Sequence, residues 1–123
     1  MNTLDLIGLP YRLGADPEDH QAADCLSLAC TVLRNYGLHP PSPRRDWYRR
    51  LRKGDYSVFA DELERFCEKT DSPRVGVVAL CDAPNGVCLA TFYESGWLSF
   101  VGLVVKWSPI GALSVRQLYC LTK

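Results

Sequence analysis

The stretch "HQAADCLSLAC", His20 to Cys30, places a cysteine directly behind an aspartate at the head of an apolar helical run. Cys25 would sit in the first turn of that helix. Unpaired backbone N–H groups and the positive end of the helix dipole point toward this place. A thiolate there is stabilised and its pKa falls. That is the setting of a nucleophile, although a buried structural cysteine at a helix start is common too. Amide cleavage by a thiolate also needs a base that takes the thiol proton and returns it to the leaving amine. A third polar group must fix the tautomer of that base. The chain has two histidines, His20 and His39. One lies in the loop before Cys25 and the other in the proline-rich stretch after the helix. Neither lies in a run that reads as a strand.

The elements that must position these residues follow from the apolar pattern. Residues 3–8 form a short helical turn, and "GLPYRLGADPEDHQ" reads as a long ordered loop. Cys25, Leu28, Ala29, Val32 and Leu33 share one face of a helix over about 23–36, closed by Gly37 and "HPPSP". "PRRDWYRRLRKG" is a second helix, and Ser57 caps a third, "VFADELERFCEK", with Phe59, Leu63 and Phe66 as its apolar stripe. "VGVVALC", "VCLATFY", "WLSFVGLVVKW" and "SVRQLYCL" read as strands. The turns "DAPNG" and "ESG" separate the first three. In the last strand Val115, Gln117, Tyr119 and Leu121 face one way, Arg116, Leu118 and Cys120 the other. Three helices followed by about four antiparallel strands make an α+β domain, with the helices packed on one face of the sheet.

Composition sets the outer limits. The chain has 123 residues, 47% hydrophobic and 23% charged, as expected of one globular domain over 1–123. Fourteen basic residues balance fourteen acidic ones, so overall charge gives no argument for nucleic acid or an anionic membrane as partner. "MNTLDLIGLPYRLG" has neither a basic n-region nor a long apolar h-region, so no signal peptide is expected. No apolar run reaches the roughly 18 residues that span a bilayer. The six cysteines, at 25, 30, 67, 81, 88 and 120, include no CxxC pair. They read as reduced small hydrophobes, with no metal site and no cofactor implied. "RRDWYRRLRK" concentrates basic residues beside aromatics. It is either a solvated helix face or a protein interface formed by Arg44, Arg45, Trp47, Tyr48, Arg49 and Arg52.

The front of the chain, "GLPYRLGADPEDHQAADCLSLACTVLRNYGL", resembles the N-terminal half of NlpC/P60 peptidases. That family reads Gly-x-Pro-Tyr-x-x-Gly-Gly, a short loop, then Asp-Cys-Ser-Gly-Leu and a helix. Gly8, Pro10, Tyr11, Gly14, Asp24, Cys25 and Leu28 match it. The resemblance implies a papain-like fold, with residues 40–73 as a helical insertion. It also implies an ancestral peptidoglycan endopeptidase with Cys25 as nucleophile. Tyr11, Asp24 and Ser27 would then lie at the substrate groove. On the residues alone, Tyr11 packs the loop on the helix and Asp24 caps it.

The family's histidine opens the second strand of the sheet, and its orienting partner follows about twelve residues later. Alignment on the Gly96 turn puts Cys88 at the histidine position and Phe100 at the third. Slipping by one residue puts Val87 there. Either way both partners of the nucleophile are absent. Cys25 and Cys88 should point into one shared site, packed as thiols or joined as a disulfide. The resemblance thus implies a degenerate member that has kept Cys25 as a vestige. Such members serve as structural or interaction parts of phage tails, at the tail tip or baseplate hub. The partners would be other tail or baseplate proteins and peptidoglycan, and the place of action the virion after synthesis in the host cytoplasm. The alternative is an active endopeptidase with a rearranged base.

Overall fold

A computed structural model describes residues 1–19, 21–84 and 86–122. A 3-10 turn at Thr3–Leu6 and another at Pro17–Asp19 precede helix α1, Cys25–Asn35. Helices α2, Arg45–Arg52, and α3, Ser57–Phe66, follow. Then come six strands: β1 Glu68–Thr70, β2 Val77–Ala83, β3 Gly86–Tyr93, β4 Gly96–Val101, β5 Val104–Pro109 and β6 Val115–Cys120. They form one antiparallel sheet in the order β1-β6-β2-β3-β4-β5.

This corrects the expected fold. A papain-like domain of helices over about four strands is not what forms. The described residues make a small, sheet-rich fold with three short helices and six strands. Two local causes account for the difference. "WLSFVGLVVKW" is not one strand but a hairpin, with Val101 paired to Val104 across Gly102–Leu103. Gly102, at φ 66°, supplies the left-handed backbone at the first turn position that a two-residue hairpin demands. An apolar run with one internal glycine conceals such a turn. The second cause is at the end of α3. Helical spacing extends through "CEK", yet Cys67 is already extended and Glu68–Thr70 pair with β6. The ladder overrides a weak helical preference.

Each helix boundary has a local cause. Asp24 is the N-cap of α1 and forms a reciprocal capping box with Ser27. At the other end Gly37 adopts φ 83°, its N–H reaches the Arg34 carbonyl, and the Leu38 N–H reaches that of Leu33. This is a Schellman closure, with Leu38 folded onto the core. The same closure ends α2: Gly54 bonds to Leu51 and Asp55 to Arg50. Ser57 is the first residue of α3 rather than its cap, because the Asp55 carboxylate accepts from the Ser57 N–H at 3.2 Å.

Alternation sorts the strands onto two buried faces. Val78, Leu80, Leu89, Tyr119 and Leu121 pack with Leu26, Ala29 and Leu33 of α1. Trp47, Leu51, Val58, Phe59 and Leu63 from α2 and α3 complete this cluster, so the segment read as an insertion builds part of the main core. The other face holds Val77, Ala79, Cys81, Ala90, Trp97 and Cys120, with Leu113 of the β5–β6 connection against them. Burial on both sides explains why "VGVVALC" is a continuous apolar run. The alternation read in the last strand holds for Tyr119 and Leu121 against Leu118 and Cys120.

The β3–β4 turn places Glu94 and Ser95 at φ 51° and 57°, as a two-residue hairpin requires. Just beyond it Gly96 is fixed by packing. A Cβ there would lie 2.5 Å from the Trp107 ring, whose Nε1 donates to the Tyr93 carbonyl at 2.8 Å. Residues 8–11 run along the outer side of β5. The Gly8 and Tyr11 N–H groups donate to Val105 and Leu103, and the Val105 N–H to Leu9.

Candidate functional site

The loop held against β5 turns back to α1, where Pro10 and Arg12 exchange backbone hydrogen bonds with Ala23. This sets Tyr11 beside the head of the helix. A cleft of about 380 Å³ opens there. Tyr11, Asp24 and Cys25 border it on one side. Leu51, Tyr56 and Phe59 form a second wall, the β2–β3 turn at Ala83–Pro84 with Val87 and Cys88 a third, and Phe100–Leu103 the rim. The lining is mainly apolar. Tyr11, 40% exposed, meets Phe100 edge-on with ring centroids 5.2 Å apart.

Asp24 is 2% exposed, and its carboxylate is fully engaged. Oδ1 accepts from the N–H groups of Leu26 and Ser27, at 3.0 and 2.9 Å, and from the Tyr48 hydroxyl at 3.4 Å. Oδ2 accepts from the Gly14 N–H at 2.7 Å. Asp24 therefore ties the loop, α1 and α2 together. Ser27 Oγ accepts from the Asp24 N–H at 3.0 Å, and Ser27 does not border the cleft. Of the residues expected at a substrate groove, Tyr11 and Asp24 line the cleft while Ser27 is part of the cap.

The thiol of Cys25 is not activated. Burial pushes it up from 9.0 to about 12; N–H groups of Leu89 and of the helix start pull the other way, and nearby Cys88 and Asp24 raise it further. At neutral pH it is a protonated, poorly nucleophilic thiol. The helix terminus alone does not overcome desolvation here.

The strand opposite brings Val87 and Cys88 to the cleft. Val87 packs with Cys25 against the helix-side cluster, whereas Cys88 packs against Cys81 and Ala90 on the other face. Cys81 and Cys88 are direct cross-strand partners, and both are free thiols. Cys88 borders the cleft, but by strand alternation it is Val87 that faces α1. Cys25 and Cys88 border one cleft, as expected of a shared site, while Val87 lies on the helix side of β3. Phe100 stands at the rim against Tyr11 and offers no polar group. His39 is exposed beyond α1 and does not border the cleft. His20 lies outside the described residues, and so does its expected approach to Cys25.

The basic helix needs a second correction. Trp47, expected at an interface, is 2% exposed and sits in the core. Tyr48 turns toward Asp24, and burial, then that carboxylate, raises its pKa. Arg44, Arg45, Arg49 and Arg52 remain at the surface, with Arg44 paired to Asp46 at 3.4 Å. The apolar Trp47–Leu51 pair at i, i+4 spacing was the signal that α2 faces the core, and the density of arginines obscured it. Tyr56 and Phe59, at the head of α3, also wall the cleft; the sequence marks Phe59 only as part of an apolar stripe, because it is tertiary packing that brings both there.

Among the described residues no group of three His, Cys, Asp or Glu side chains converges as metal ligands, and no helix is long and apolar enough to cross a membrane. Compared with protein-family models, the chain matches none, and comparison with curated proteins likewise finds no match.

Proposed function

We propose that this chain is a catalytically inert relative of the NlpC/P60 peptidases that acts as a structural or binding component, in the setting of a phage tail tip or baseplate. The observation that carries the inert part is Val87 on β3, an aliphatic side chain on the wall where a base would have to meet Cys25. A thiol pushed up to about 12 supports the same reading. With the thiol protonated at neutral pH and no imidazole among the described residues bordering the cleft, amide cleavage is not supported. The cleft itself persists, apolar and rimmed by Tyr11, Phe100 and Leu103, and suits binding better than reaction. The tail setting rests on the likeness of the Gly8, Pro10, Tyr11, Gly14, Asp24, Cys25 motif to that family.

The test is direct. Purified chain is incubated with peptidoglycan and with synthetic stem peptides, and newly exposed amines are counted. No release above the level of a Cys25→Ala control is expected. Release that disappears in Cys25→Ala would restore the peptidase alternative. The tail setting is tested separately, by mass spectrometry of purified virions from a host carrying the gene. A chain absent from the particles and free in the lysate would remove it.

A further inference from the structure

The register of the sheet sets two cysteines face to face. The β2–β3 ladder runs without a break from Val78 opposite Thr91 to Ala83 opposite Gly86, and within it Cys81 lies directly opposite Cys88. Directly opposed residues of an antiparallel pair have Cα atoms about 4.5–5.5 Å apart and side chains on one face. A disulfide spans about 4.4–6.8 Å between Cα atoms. The backbone thus already holds these two residues at bonding separation, and both thiols are free. Cys88 packs against the buried cluster that contains Cys81, on the face of the sheet turned away from α1.

The remaining cysteines are not placed this way. Cys25 borders the same cleft as Cys88, yet it packs on the helix side of the sheet while Cys88 lies on the other. Cys67 and Cys120 are divided in the same manner, and Cys120 stands opposite Glu68 and Val77. Access differs within the opposed pair. Cys81 is 1% exposed, whereas Cys88 is half-buried and borders the cleft. A small reagent entering by the cleft meets Cys88 first, with Cys81 behind it. Burial pushes both thiols up, Cys81 to about 12. The reduced form therefore lacks the stabilised thiolate that makes some disulfides strongly oxidising. Such a bond forms slowly and, once made, resists reduction.

We propose that Cys88 is a site of thiol–disulfide exchange that accepts a small-molecule disulfide of the glutathione type and passes the bond to Cys81. The Cys88 thiolate attacks the S–S bond of the reagent. A mixed disulfide forms, and one reagent thiol leaves with the proton that Cys88 gave up. The Cys81 thiolate then attacks the Cys88 sulfur, the mixed disulfide breaks, and the second reagent thiol leaves with the proton of Cys81. Two electrons pass from the protein to the reagent, which ends as two thiols. The product closes the β2–β3 turn, one wall of the Cys25 cleft, with a covalent bond. This chemistry does not depend on whether the cleft cleaves or only binds.

The intact folded chain is incubated with oxidised glutathione at mildly alkaline pH, blocked with N-ethylmaleimide in denaturant, cut with trypsin and mapped by mass spectrometry. Cys81 and Cys88 share the tryptic peptide 75–106, whereas Cys25 lies in peptide 13–34. Peptide 75–106 should lose both labels together and be lighter by two hydrogens than its reduced form, while the other four cysteines keep their labels. Cys81→Ala should stop at a glutathione adduct on Cys88, and Cys88→Ala should leave Cys81 labelled. Should either variant fail to fold, the unmodified chain decides alone. A cross-link between peptides 13–34 and 75–106 overturns the proposal by giving Cys88 to Cys25. So does a Cys81 that keeps its label while glutathione accumulates on Cys88, a full label on both thiols, or a bond that forms only when urea is added.

Discussion

The two walls of the Cys25 cleft are built on different principles. The helix wall is local: Asp24, Ser27 and the N–H groups of the first turn lie within four positions of one another and determine each other's geometry. The strand wall depends on register, and a shift of one residue exchanges Val87 for Cys88. The helix wall holds Cys25 at the cleft through a complete N-cap. The strand wall presents aliphatic Val87 toward the helix side and Cys88 toward the other face. A cap that also fastens Gly14 and Tyr48 is a structural requirement of the fold. A catalytic side chain on a strand has no such second duty.

The comparison can be strained most severely with alkali. Burial raises Cys25 and Cys81 to about 12, and Cys30 and Cys67 to about 11, from 9.0. These raised values mean that the fold disfavours the thiolates. Their contribution to stability is complete below pH 9 and is lost as pH rises toward 12. Unfolding before pH 12 is expected, followed by circular dichroism, and Cys25→Ala should move the midpoint upward. A midpoint unchanged by that substitution would mean Cys25 is better solvated than its surroundings imply.

Next in size is the cap. Asp24→Ala leaves the buried N–H groups of Leu26 and Ser27, and the partly buried N–H of Gly14, without their acceptor. A loss of about 3 kcal/mol in urea denaturation is expected, from the cap and its orphaned donors together. A loss well below about 1 kcal/mol would show the helix wall to be less integrated than described.

The strand wall is sharpened by adding what it lacks. Val87→His places an imidazole on the face toward Cys25. Alkylation of Cys25 by iodoacetamide at pH 7 should rise at least about tenfold as the thiolate fraction grows. Cys88→His, on the opposite face, should leave the rate near that of the unmodified chain. Equal acceleration by both would reverse the register assigned here. The smallest effect belongs to Ser27→Ala, which removes the return bond of the capping box and the weaker bond from the hydroxyl to the Asp24 carbonyl, at about 1 kcal/mol.

The same contrast explains what could be read from the sequence. Asp24 before Cys25, Gly37 after α1 and the alternation in β6 are short-range signals, and the structure follows them. The front motif likewise brings Tyr11, Asp24 and Cys25 to one cleft. What escaped was decided at long range. Glu68–Thr70 become a strand only because β6 is there to pair with them. Which of Val87 and Cys88 faces the helix depends on how β3 lies against β2. Trp47 is core because α2 and α3 close over the sheet, and its basic neighbours advertised the reverse.

The backbone pairing of residues 8–11 with β5 has a consequence for the order of assembly. On the ribosome that segment emerges long before Leu103 and Val105 exist, and Tyr11 and Ala23 are in place before Phe100. The head of α1 can therefore be capped early, while the cleft above it stays open until the β4–β5 hairpin arrives. The β4–β5 hairpin thus locks a segment made well before it. A chain halted before Val104 would carry a formed helix, an unfinished sheet and a tail with nothing to grip.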